Sequence, residues 1–395
     1  TTEEPPAELP EPQEVDKTAK TVWHMDHYGL VQAHINDEGV VTRLSYAEET
    51  PNKPGNKGPA ERDRLYAPGR IRYPMKRKGW EPGGNSDGTG RGKEEFVRIS
   101  WDEAAQMYAD ELQRIHDEYG WRAIQGGSYG WGSAGSLHGG QAPMHRLLSL
   151  AGGYTAQVNT YSTAALRVSA PYTFGTSAPP GPNYWDLEEN SDMVVWWGAD
   201  PVQTGTIGFG GFESTKDDHV KRLRDNGVKQ VFINPRVTDS QRLADGEHIP
   251  IRMNTDTAMM AAMSYVLIDE DLYDKEFVDN YTVGFEPFRQ YIMGEEDGQA
   301  KTPEWAAEIT GLSASLIADF ARECNEKRTF FAQGWSMQRG DHGEQPVRMN
   351  GALAALIGDI GRAGGGVSYG HSYGPTGHPS SRKSSFGGLP APAQY

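Results

Sequence analysis

Short apolar runs and longer segments of helical periodicity alternate along the chain from about residue 99 onward. Continuous apolar runs are typical of buried strands, and apolar residues at every third or fourth position are typical of helices packed on one face. The strand-like runs are AIQGG, MVVWWG, QVFIN, IPIRM and TFFAQG, and the main helix-like segments are QAPMHRLLSLAGG, DDHVKRLRDNG, TAMMAAMSYVLI, SASLIADFARECNE and PVRMNGALAALIGDIG. Strands alternating with helices predict an α/β fold with parallel strands and right-handed crossovers.

The residues before this alternation predict two further regions. Residues 1–22 are rich in proline and glutamate, which is typical of a disordered or extended arm. Residues 23–98 carry short apolar runs broken by glycine, proline and charge, which predicts a small strand-rich entry domain with a basic, glycine-rich loop in its second half. Ser100 and Glu103 then form a capping box that predicts the start of a long helix.

Composition excludes several classes of function. The chain has 395 residues, of which 36% are hydrophobic and 23% charged, as expected of a globular protein without a membrane span. A net charge of −16 argues against a nucleic-acid partner, because phosphates would be repelled. The single cysteine, Cys324, excludes an internal disulfide, an iron–sulfur cluster held by cysteines of this chain and a cysteine-based zinc site, and it is expected to pack in the core.

Polar and glycine-rich segments follow the predicted strands, where ligands of open α/β sheets bind. These segments are SYGWGSAG, ADPVQT, PRVTDS, NTD and WSMQRGDHGEQ. Their backbone amides and hydroxyls suit diphosphates, and a carboxylate such as Asp256 can accept both N–H groups of a guanine edge. From the residues alone two interpretations stay open: a large phosphorylated cofactor, or ordinary turn chemistry. The chain has no GxGxxG motif or P-loop at a strand–helix junction.

Longer motifs indicate the class of protein more specifically than these short segments do. GGSYGWGSAGSLHGGQ, GGYTAQVNTYSTAA and GWSMQRGDHGEQ, together with INPRVTDSQRLAD and ALIGDIGRAGGGVSYGHSY, resemble the dimethyl sulfoxide/trimethylamine N-oxide reductase branch of the molybdopterin oxidoreductases. The resemblance runs from about Trp23 to the end of the chain. It implies a several-lobed α/β fold with parallel-sheet nucleotide-binding domains, molybdenum held by two molybdopterin guanine dinucleotides, and no iron–sulfur cluster in this chain.

The resemblance also implies roles for particular residues. Ser162 in YSTAA corresponds to the serine ligand of molybdenum, and Tyr129 and Trp131 in SYGW correspond to the two donors beside the metal's oxo group. Two departures, Gly132 after the tryptophan and Ala164 in place of a glycine, affect the substrate pocket and a cofactor contact. The implied cofactor contacts are Trp131, Gly132, Ser133, Ser162, Gln203, Thr204, Asn234, Asn254, Thr255, Asp256, Trp335, Ser336 and Arg339.

The same resemblance divides the chain into parts of a larger enzyme. It implies that residues 99–165 begin a second domain, that 166–365 form a third domain binding one guanine dinucleotide, and that 366–395 return toward the second. Because family members are about twice as long, we expect a second polypeptide or a cleaved remainder to supply the carboxyl-terminal domain.

The activity implied is two-electron reduction of an S-oxide or N-oxide, with the oxygen released as water. The implied electron donor is an external protein such as a c-type cytochrome, and the implied location is the periplasm, with the cytoplasm as an alternative. Other functions stay open: oxygen transfer in the oxidative direction, a non-catalytic nucleotide-binding subunit, and a sugar-binding lobe that uses Trp and Tyr platforms.

Overall fold

The computed structural model describes residues 20–26, 29–46, 57–83, 89–127, 140–160, 162–176, 181–204 and 216–369. Its main feature is a five-stranded sheet of β8 (Met193–Trp197), β9 (Lys229–Ile233), β10 (Glu247–Ile249), β11 (Thr329–Gln333) and β12 (Gly366–Tyr369). The sheet is wholly parallel, and its strand order is β10-β9-β8-β11-β12. Because all five run the same way, the loops that leave their carboxyl ends gather at one edge.

Helices cover both faces of this sheet, as parallel sheets require. On one face the helices are α5 (Tyr184–Asn190), α6 (Pro201–Thr204), α7 (Lys216–Asp225) and α8 (Asp239–Ala244). On the other face they are α9 (Asp256–Asp269), α10 (Lys275–Tyr281), α11 (Phe285–Ile292), α12 (Pro303–Thr310), α13 (Ala314–Glu326) and α14 (Glu344–Ile357), with a short 3₁₀ helix at Met337–Arg339. Helix α9 is apolar all round and is enclosed by α12, α13 and α14, as expected of a helix buried on every side.

A smaller unit precedes the main sheet. Strands β6 (Gln125–Gly126) and β7 (Thr155–Ala156) form a parallel pair joined through α3 (Gln141–Leu150), and α2 (Trp101–Tyr119) lies before them. A 3₁₀ helix at Trp121–Ala123 joins α2 to β6. Among the described residues of this unit, the buried hydrophobic core consists of Ile124, Leu148 and Tyr154. Helix α4 (Ala164–Phe174) leads from it toward the main sheet and packs on α14.

The amino-terminal region is rich in strands, as its sequence predicts. Strands β1 (Lys20–Asp26), β2 (Gly29–Ile35) and β3 (Val41–Tyr46) form an antiparallel sheet, and β4 (Met75–Arg77) pairs with β5 (Phe96–Arg98). The prediction of a loop over 56–93 is wrong for 57–66, which form helix α1 (Lys57–Tyr66), and for 75–77, which form β4. Ion pairing along that helix, such as Arg64 with Glu61 at 2.9 Å, supports a segment that has few apolar residues.

Most of the predicted elements of the α/β region are confirmed. The capping serine of α2 accepts a hydrogen bond from the Glu103 amide at 3.0 Å, while the Glu103 carboxylate pairs with Lys76 at 3.2 Å. The strand predicted over IPIRM is wrong in its position, since the structure has it at Glu247–Ile249, before the proline. Cys324 is fully buried, as expected. Within the described residues, no helix combines the length and apolarity needed to cross a membrane.

Candidate cofactor-binding site

The loops after β8 and β11 are locked together at the carboxyl edge of the main sheet. The Gly334 amide donates to the Trp197 carbonyl at 2.8 Å, and the Ser336 hydroxyl donates to the Gly198 carbonyl at 2.6 Å. A Cβ on Gly334 would lie 2.0 Å from the Gly198 carbonyl oxygen. Only glycine at Gly334 therefore permits this approach of the two backbones.

Asn234, the first residue after β9, connects the neighbouring loops on the other side of β8. Its side-chain amide donates to the Ala199 carbonyl at 3.2 Å, and its backbone amide donates to the Ile249 carbonyl at 3.2 Å. The His248 ring nitrogen lies 2.9 Å from the Asn234 carbonyl oxygen. Asn234 is buried, so its role in these contacts is to hold the ends of β8, β9 and β10 in register at the edge.

Asp256 places a carboxylate at the amino terminus of α9, beside this edge. One of its oxygens accepts a hydrogen bond from the Trp197 indole N–H at 2.8 Å. Burial raises the pKa of Asp256 above its usual value, and the bonds from Trp197 and from its own backbone amide oppose that rise. A half-buried carboxylate whose charge is only partly compensated is suited to a ligand that offers N–H donors.

The loop after β10 meets the loop after β11 through Asn254. This residue has a φ of 62°, in the left-handed region that asparagine tolerates, and its side chain fills the space where a Cβ on Gly340 would stand, 2.1 Å from Oδ1. The Thr255 hydroxyl donates to the Arg252 carbonyl at 2.7 Å. These contacts bring the predicted residues Asn254 and Thr255 to the same edge as Ser336.

Asp200 organises the loop after β8. One carboxylate oxygen accepts from the Ser240 hydroxyl at 2.6 Å and from the Gln203 amide at 3.4 Å, and the Asp200 carbonyl accepts from the Thr204 hydroxyl at 2.9 Å. The other carboxylate oxygen is buried without a hydrogen bond from the described residues and pairs with Arg236 at 3.7 Å. Gln203 and Thr204 are exposed on α6 at the edge.

Ser162, the predicted metal ligand, is brought to the same edge by a contact between distant parts of the chain. The Gln338 side-chain amide donates to the Ser162 carbonyl at 2.7 Å, and the Arg339 guanidinium donates to it at 3.3 Å. The Gln338 side-chain oxygen accepts from the Leu166 amide at 3.4 Å. Trp335 packs against the cluster formed by Leu166, Ala170 and Val347. The loop after β11 thus fixes the start of α4, and the same loop carries the predicted cofactor residues Trp335, Ser336 and Arg339.

Other predicted residues lie outside the described part of the chain. Tyr129, Trp131, Gly132 and Ser133 belong to this group, so their positions relative to Ser162 stay predictions. Within the described residues, no group of three or more His, Cys, Asp or Glu side chains could hold a metal ion.

Sequence reasoning missed two residues that organise the edge. Gln338 is buried and joins the loop after β11 to Ser162, and Asp200 joins α6 to Ser240. Both lie inside the motifs GWSMQR and ADPVQT, but nothing in those motifs distinguishes a side chain that contacts a ligand from one that holds the loop.

The arrangement fits a phosphate-bearing nucleotide cofactor. The close backbone approach at Gly334, which needs glycine, keeps a side chain out of the edge. Exposed polar side chains stand along it at Gln203, Ser336 and Arg339, and the Asp256 carboxylate lies at the amino terminus of α9. Arginine and backbone amides are the groups that proteins use for phosphates.

Comparison with known proteins places the chain in a family. Residues 70–378 match the family model of the molybdopterin oxidoreductases, and the chain belongs to that family.

Curated relatives and a solved structure show which members of the family the chain is similar to. The chain is 39% identical over 371 residues to a dimethyl sulfoxide/trimethylamine N-oxide reductase of Cereibacter sphaeroides, covering 92% of this chain and 44% of that protein. It is 37% identical over 371 residues to a trimethylamine-N-oxide reductase of Vibrio cholerae serotype O1 (strain ATCC 39315 / El Tor Inaba N16961), covering 92% of this chain and 45% of that protein. The chain thus spans less than half the length of these curated relatives. A solved structure, acetylene hydratase from Pelobacter acetylenicus, matches the fold with a TM-score of 0.59 and 23% identity, covering 85% of this chain and 42% of that one.

Proposed function

We propose that this chain is the amino-terminal part of a molybdenum-dependent reductase that removes oxygen from an S-oxide or N-oxide and releases it as water, with two electrons from an external donor and two protons. The observation that carries the proposal is the hydrogen bond from Gln338 to the Ser162 carbonyl at 2.7 Å. It brings the candidate metal ligand to the sheet edge where the candidate cofactor residues gather. The relatives at 37–39% identity support the substrate class.

In this proposal the main sheet binds one of two molybdopterin guanine dinucleotides. Asp256 accepts the N–H groups of guanine, and the groups along the loops after β8, β9 and β11 bind the diphosphate and ribose. The proposed contacts at this edge are Gln203, Thr204, Asn234, Asn254, Thr255, Asp256, Trp335, Ser336 and Arg339. The protein's contribution is to position the cofactor and exclude competing reactions.

The proposed protein ligand of the metal is the Ser162 hydroxyl. Bound molybdenum would supply oxygen-atom transfer coupled to two-electron chemistry. In this proposal Tyr129 and Trp131 would donate O–H and N–H hydrogen bonds toward the reacting oxygen, and Trp131, Gly132 and Ser133 would contact the cofactor. Rigid aromatic donors keep their geometry during the reaction, which is the basis of electrostatic preorganisation.

The proposed division of the chain follows the same logic. Residues 99–165 begin a second domain, residues 166–365 form a third that binds one guanine dinucleotide, and residues 366–395 return toward the second. The remaining polypeptide completes the fold, and the protein acts without an iron–sulfur cluster of this chain. We propose a periplasmic location and a c-type cytochrome as donor. The rival functions are oxygen transfer in the oxidative direction and a non-catalytic nucleotide-binding subunit.

The test uses the intact protein, with every segment that accompanies this chain. We expect about one molybdenum per chain and release of guanine on acid treatment, with reduction of dimethyl sulfoxide or trimethylamine N-oxide by reduced viologen. Protein that lacks molybdenum would contradict the catalytic assignment and favour the non-catalytic subunit. Protein that holds molybdenum but only oxidises the corresponding sulfide or amine would favour the opposite direction.

Replacing the proposed ligand tests its role more narrowly. Ser162→Ala is expected to change the light-atom coordination seen by molybdenum X-ray absorption and to lower turnover by about 10²-fold or more, the loss typical of a group that acts on the reacting centre. The matched control is Ser169→Ala, a buried serine of the same helix region whose hydroxyl donates to the Glu344 carbonyl at 3.0 Å. Unchanged metal coordination in Ser162→Ala would refute the ligand assignment.

A further inference from the structure

Two side-chain amides are buried together at the carboxyl edge of the main sheet. Gln333, the last residue of β11, is 1% exposed, and Asn350 of α14 is fully buried. The Asn350 side-chain amide donates to the Gln333 side-chain oxygen at 3.0 Å. Gln333 lies in register with Trp197 of β8, so these two residues end their strands side by side. We call the two amides the Gln333–Asn350 pair.

The hydrogen bonding of the Gln333–Asn350 pair is incomplete. Two side-chain amides can exchange two hydrogen bonds, one in each direction. In this pair Nε2 of Gln333 and Oδ1 of Asn350 are buried, and neither forms a hydrogen bond within the described residues. A buried polar group without a partner costs more free energy than one hydrogen bond contributes, and an apolar pair of the same shape avoids that cost. Stability therefore does not explain why two amides meet here.

A hydrogen bond fixes the relative position of two elements more narrowly than apolar contact does. Apolar side chains still pack after a small shift, whereas a hydrogen bond needs a heavy-atom distance of about 3 Å and a nearly straight angle. In coiled coils a buried polar side chain sets the register of the helices at a cost in stability. The Gln333–Asn350 pair combines the same cost with the same directionality, where α14 meets β11.

The part of α14 around Asn350 also carries helix α4. A Cβ on Gly351, the next residue, would lie 2.7 Å from Cγ2 of Thr173, so the two helices are in close contact there. The Ser169 hydroxyl of α4 donates to the carbonyl of the first residue of α14 at 3.0 Å. A shift of α14 along β11 would therefore move α4, which begins two residues after Ser162.

Gln333 is connected to Ser162 by a second route, through the loop after β11. Gly334 follows Gln333 directly, and Gln338 and Arg339 of the same loop donate to the Ser162 carbonyl at 2.7 and 3.3 Å. One route to Ser162 thus runs through this loop, and the other runs through α14 and α4. The two routes place Ser162 at the same point only when α14 keeps one register against β11.

We propose that Gln333 and Asn350 are positioning residues, whose hydrogen bond sets the register of α14 against β11 and so the position of Ser162 relative to the loop after β11. This inference deepens the proposed function and rests on it, because Ser162 is the proposed metal ligand. Both amides are buried, so they act through α4 and the loop rather than by touching substrate or cofactor.

The test compares three variants of the intact protein by hydrogen exchange. Gln333→Met and Asn350→Leu each leave one buried amide without its partner, whereas Gln333→Met/Asn350→Leu leaves none and keeps similar side-chain shapes. Exchange of the β11 and α14 amides should be about tenfold faster in each single variant and should return to within about twofold of the unmodified protein in the double variant. Exchange at 162–167 and 336–339 should stay about tenfold faster in the double variant.

The other outcomes of this comparison would overturn the proposal. Recovery of 162–167 and 336–339 together with β11 and α14 would mean that the pair only satisfies two buried groups. Exchange of β11 and α14 that stays fast in the double variant would mean that the pair stabilises the fold instead. Single variants that exchange as the unmodified protein does would mean that the hydrogen bond holds neither element.

A matched control makes the same substitution on the opposite face of the sheet. Gln230 of β9 is buried; its side chain accepts from the Trp196 indole at 3.1 Å and donates to the Val220 carbonyl at 2.9 Å. Gln230→Met should speed exchange in β9 and α7 but not at 162–167 or 336–339. Equal acceleration at those two segments would assign the effect to general loosening of the sheet and would contradict the positioning role.

Steady-state kinetics of the cofactor-loaded protein give an independent readout. The double variant should lower kcat by about tenfold or more and change KM by less than about twofold, because misplacement of a group at the reacting centre affects the chemical step. A change confined to KM would contradict the positioning role. Hydrogen exchange needs no turnover, so absence of molybdenum from the unmodified protein would refute the proposed function, while the exchange result would still decide whether the pair sets the register.

Discussion

The indole of Trp197 is expected to stabilise the protein in a pH-dependent way, and its neighbour provides the control. Trp196 and Trp197 are adjacent on β8 and both are fully buried. Trp197 donates to the Asp256 carboxylate at 2.8 Å, whereas Trp196, on the opposite face, donates to the Gln230 side-chain oxygen at 3.1 Å. Replacing each tryptophan by phenylalanine removes one indole N–H in both cases, but only Trp197 loses a charged acceptor.

The expected magnitudes follow from the two acceptors. A hydrogen bond to a charged group contributes about 1.5–3 kcal/mol, and a bond between neutral groups contributes about 0.5–1.5 kcal/mol. Both substitutions also remove similar apolar area, so that part cancels in the comparison. At neutral pH we expect Trp197→Phe to lower the free energy of unfolding by about 1–1.5 kcal/mol more than Trp196→Phe does.

The sign of the pH dependence comes from the direction of the Asp256 shift. Burial raises the pKa of Asp256 in the folded protein above the usual value of 3.8, so ionisation of this carboxyl opposes folding. Its effect on stability is absent below pH 3.8 and grows as the pH rises through the folded-state pKa. Loss of the Trp197 bond raises that pKa further. Trp197→Phe loses more unfolding free energy than Trp196→Phe does, and this excess cost should therefore increase from acid to neutral pH.

The assay is urea unfolding of both variants at several pH values, combined with hydrogen exchange of the β8 and β9 amides, which reports local opening of the sheet. An excess cost that is the same at acid and neutral pH would refute the reasoning. So would an equal pH dependence in Trp196→Phe. In an Asp256→Asn background the pH-dependent part of the excess should disappear.

Of three further predictions, two concern the carboxyl edge of the main sheet and one concerns the buried histidine His219. Gly334→Ala places a Cβ 2.0 Å from the Gly198 carbonyl oxygen, so the loops must separate, and guanine recovered per chain should fall; unchanged guanine would contradict this. Gln338→Ala leaves the Ser162 carbonyl and a backbone amide without this partner, which should cost about 1–3 kcal/mol and speed hydrogen exchange in 162–174 but not in the sheet strands. Burial lowers the pKa of His219 below 6.5, so the contribution of His219 to stability falls as the pH drops below 6.5. In His219→Gln the free energy of unfolding should therefore depend less on pH between pH 5 and pH 7. An unchanged pH dependence would contradict this prediction.

Hydrophobic pattern was sufficient for the central strands. Met193–Trp197 is a continuous apolar run, and Lys229–Ile233 and Thr329–Gln333 each contain three consecutive apolar residues; the first and last strands are buried at every position. The pattern was not sufficient where apolar residues continue past the strand, as at Ile251 after β10. It also failed for α1, where charged residues on the helix surface resemble a polar loop.

The position of the candidate residues could be predicted to a single edge, but not their partners. Asn234, Asp256 and Ser336 each follow a predicted strand, and the parallel sheet gathers such residues. The contact of Trp197 with Asp256 joins residues that are 59 positions apart, and that of Gln338 with Ser162 joins residues 176 positions apart. Such contacts depend on which elements become neighbours, and periodicity along the chain carries no information about that.

The contact at Ser162 also decides which part of the fold positions the candidate metal ligand. Its carbonyl is held from the loop after β11, and the helix that follows it packs through Leu166 and Ala170 on Val347 of α14. By contrast, the described residues of the small unit around β6 and β7 contribute three buried residues to its core. The main sheet therefore sets the position of Ser162. A change that loosens the small unit should leave Ser162 in place, whereas a change in the loop after β11 should move Ser162 and the candidate cofactor contacts together.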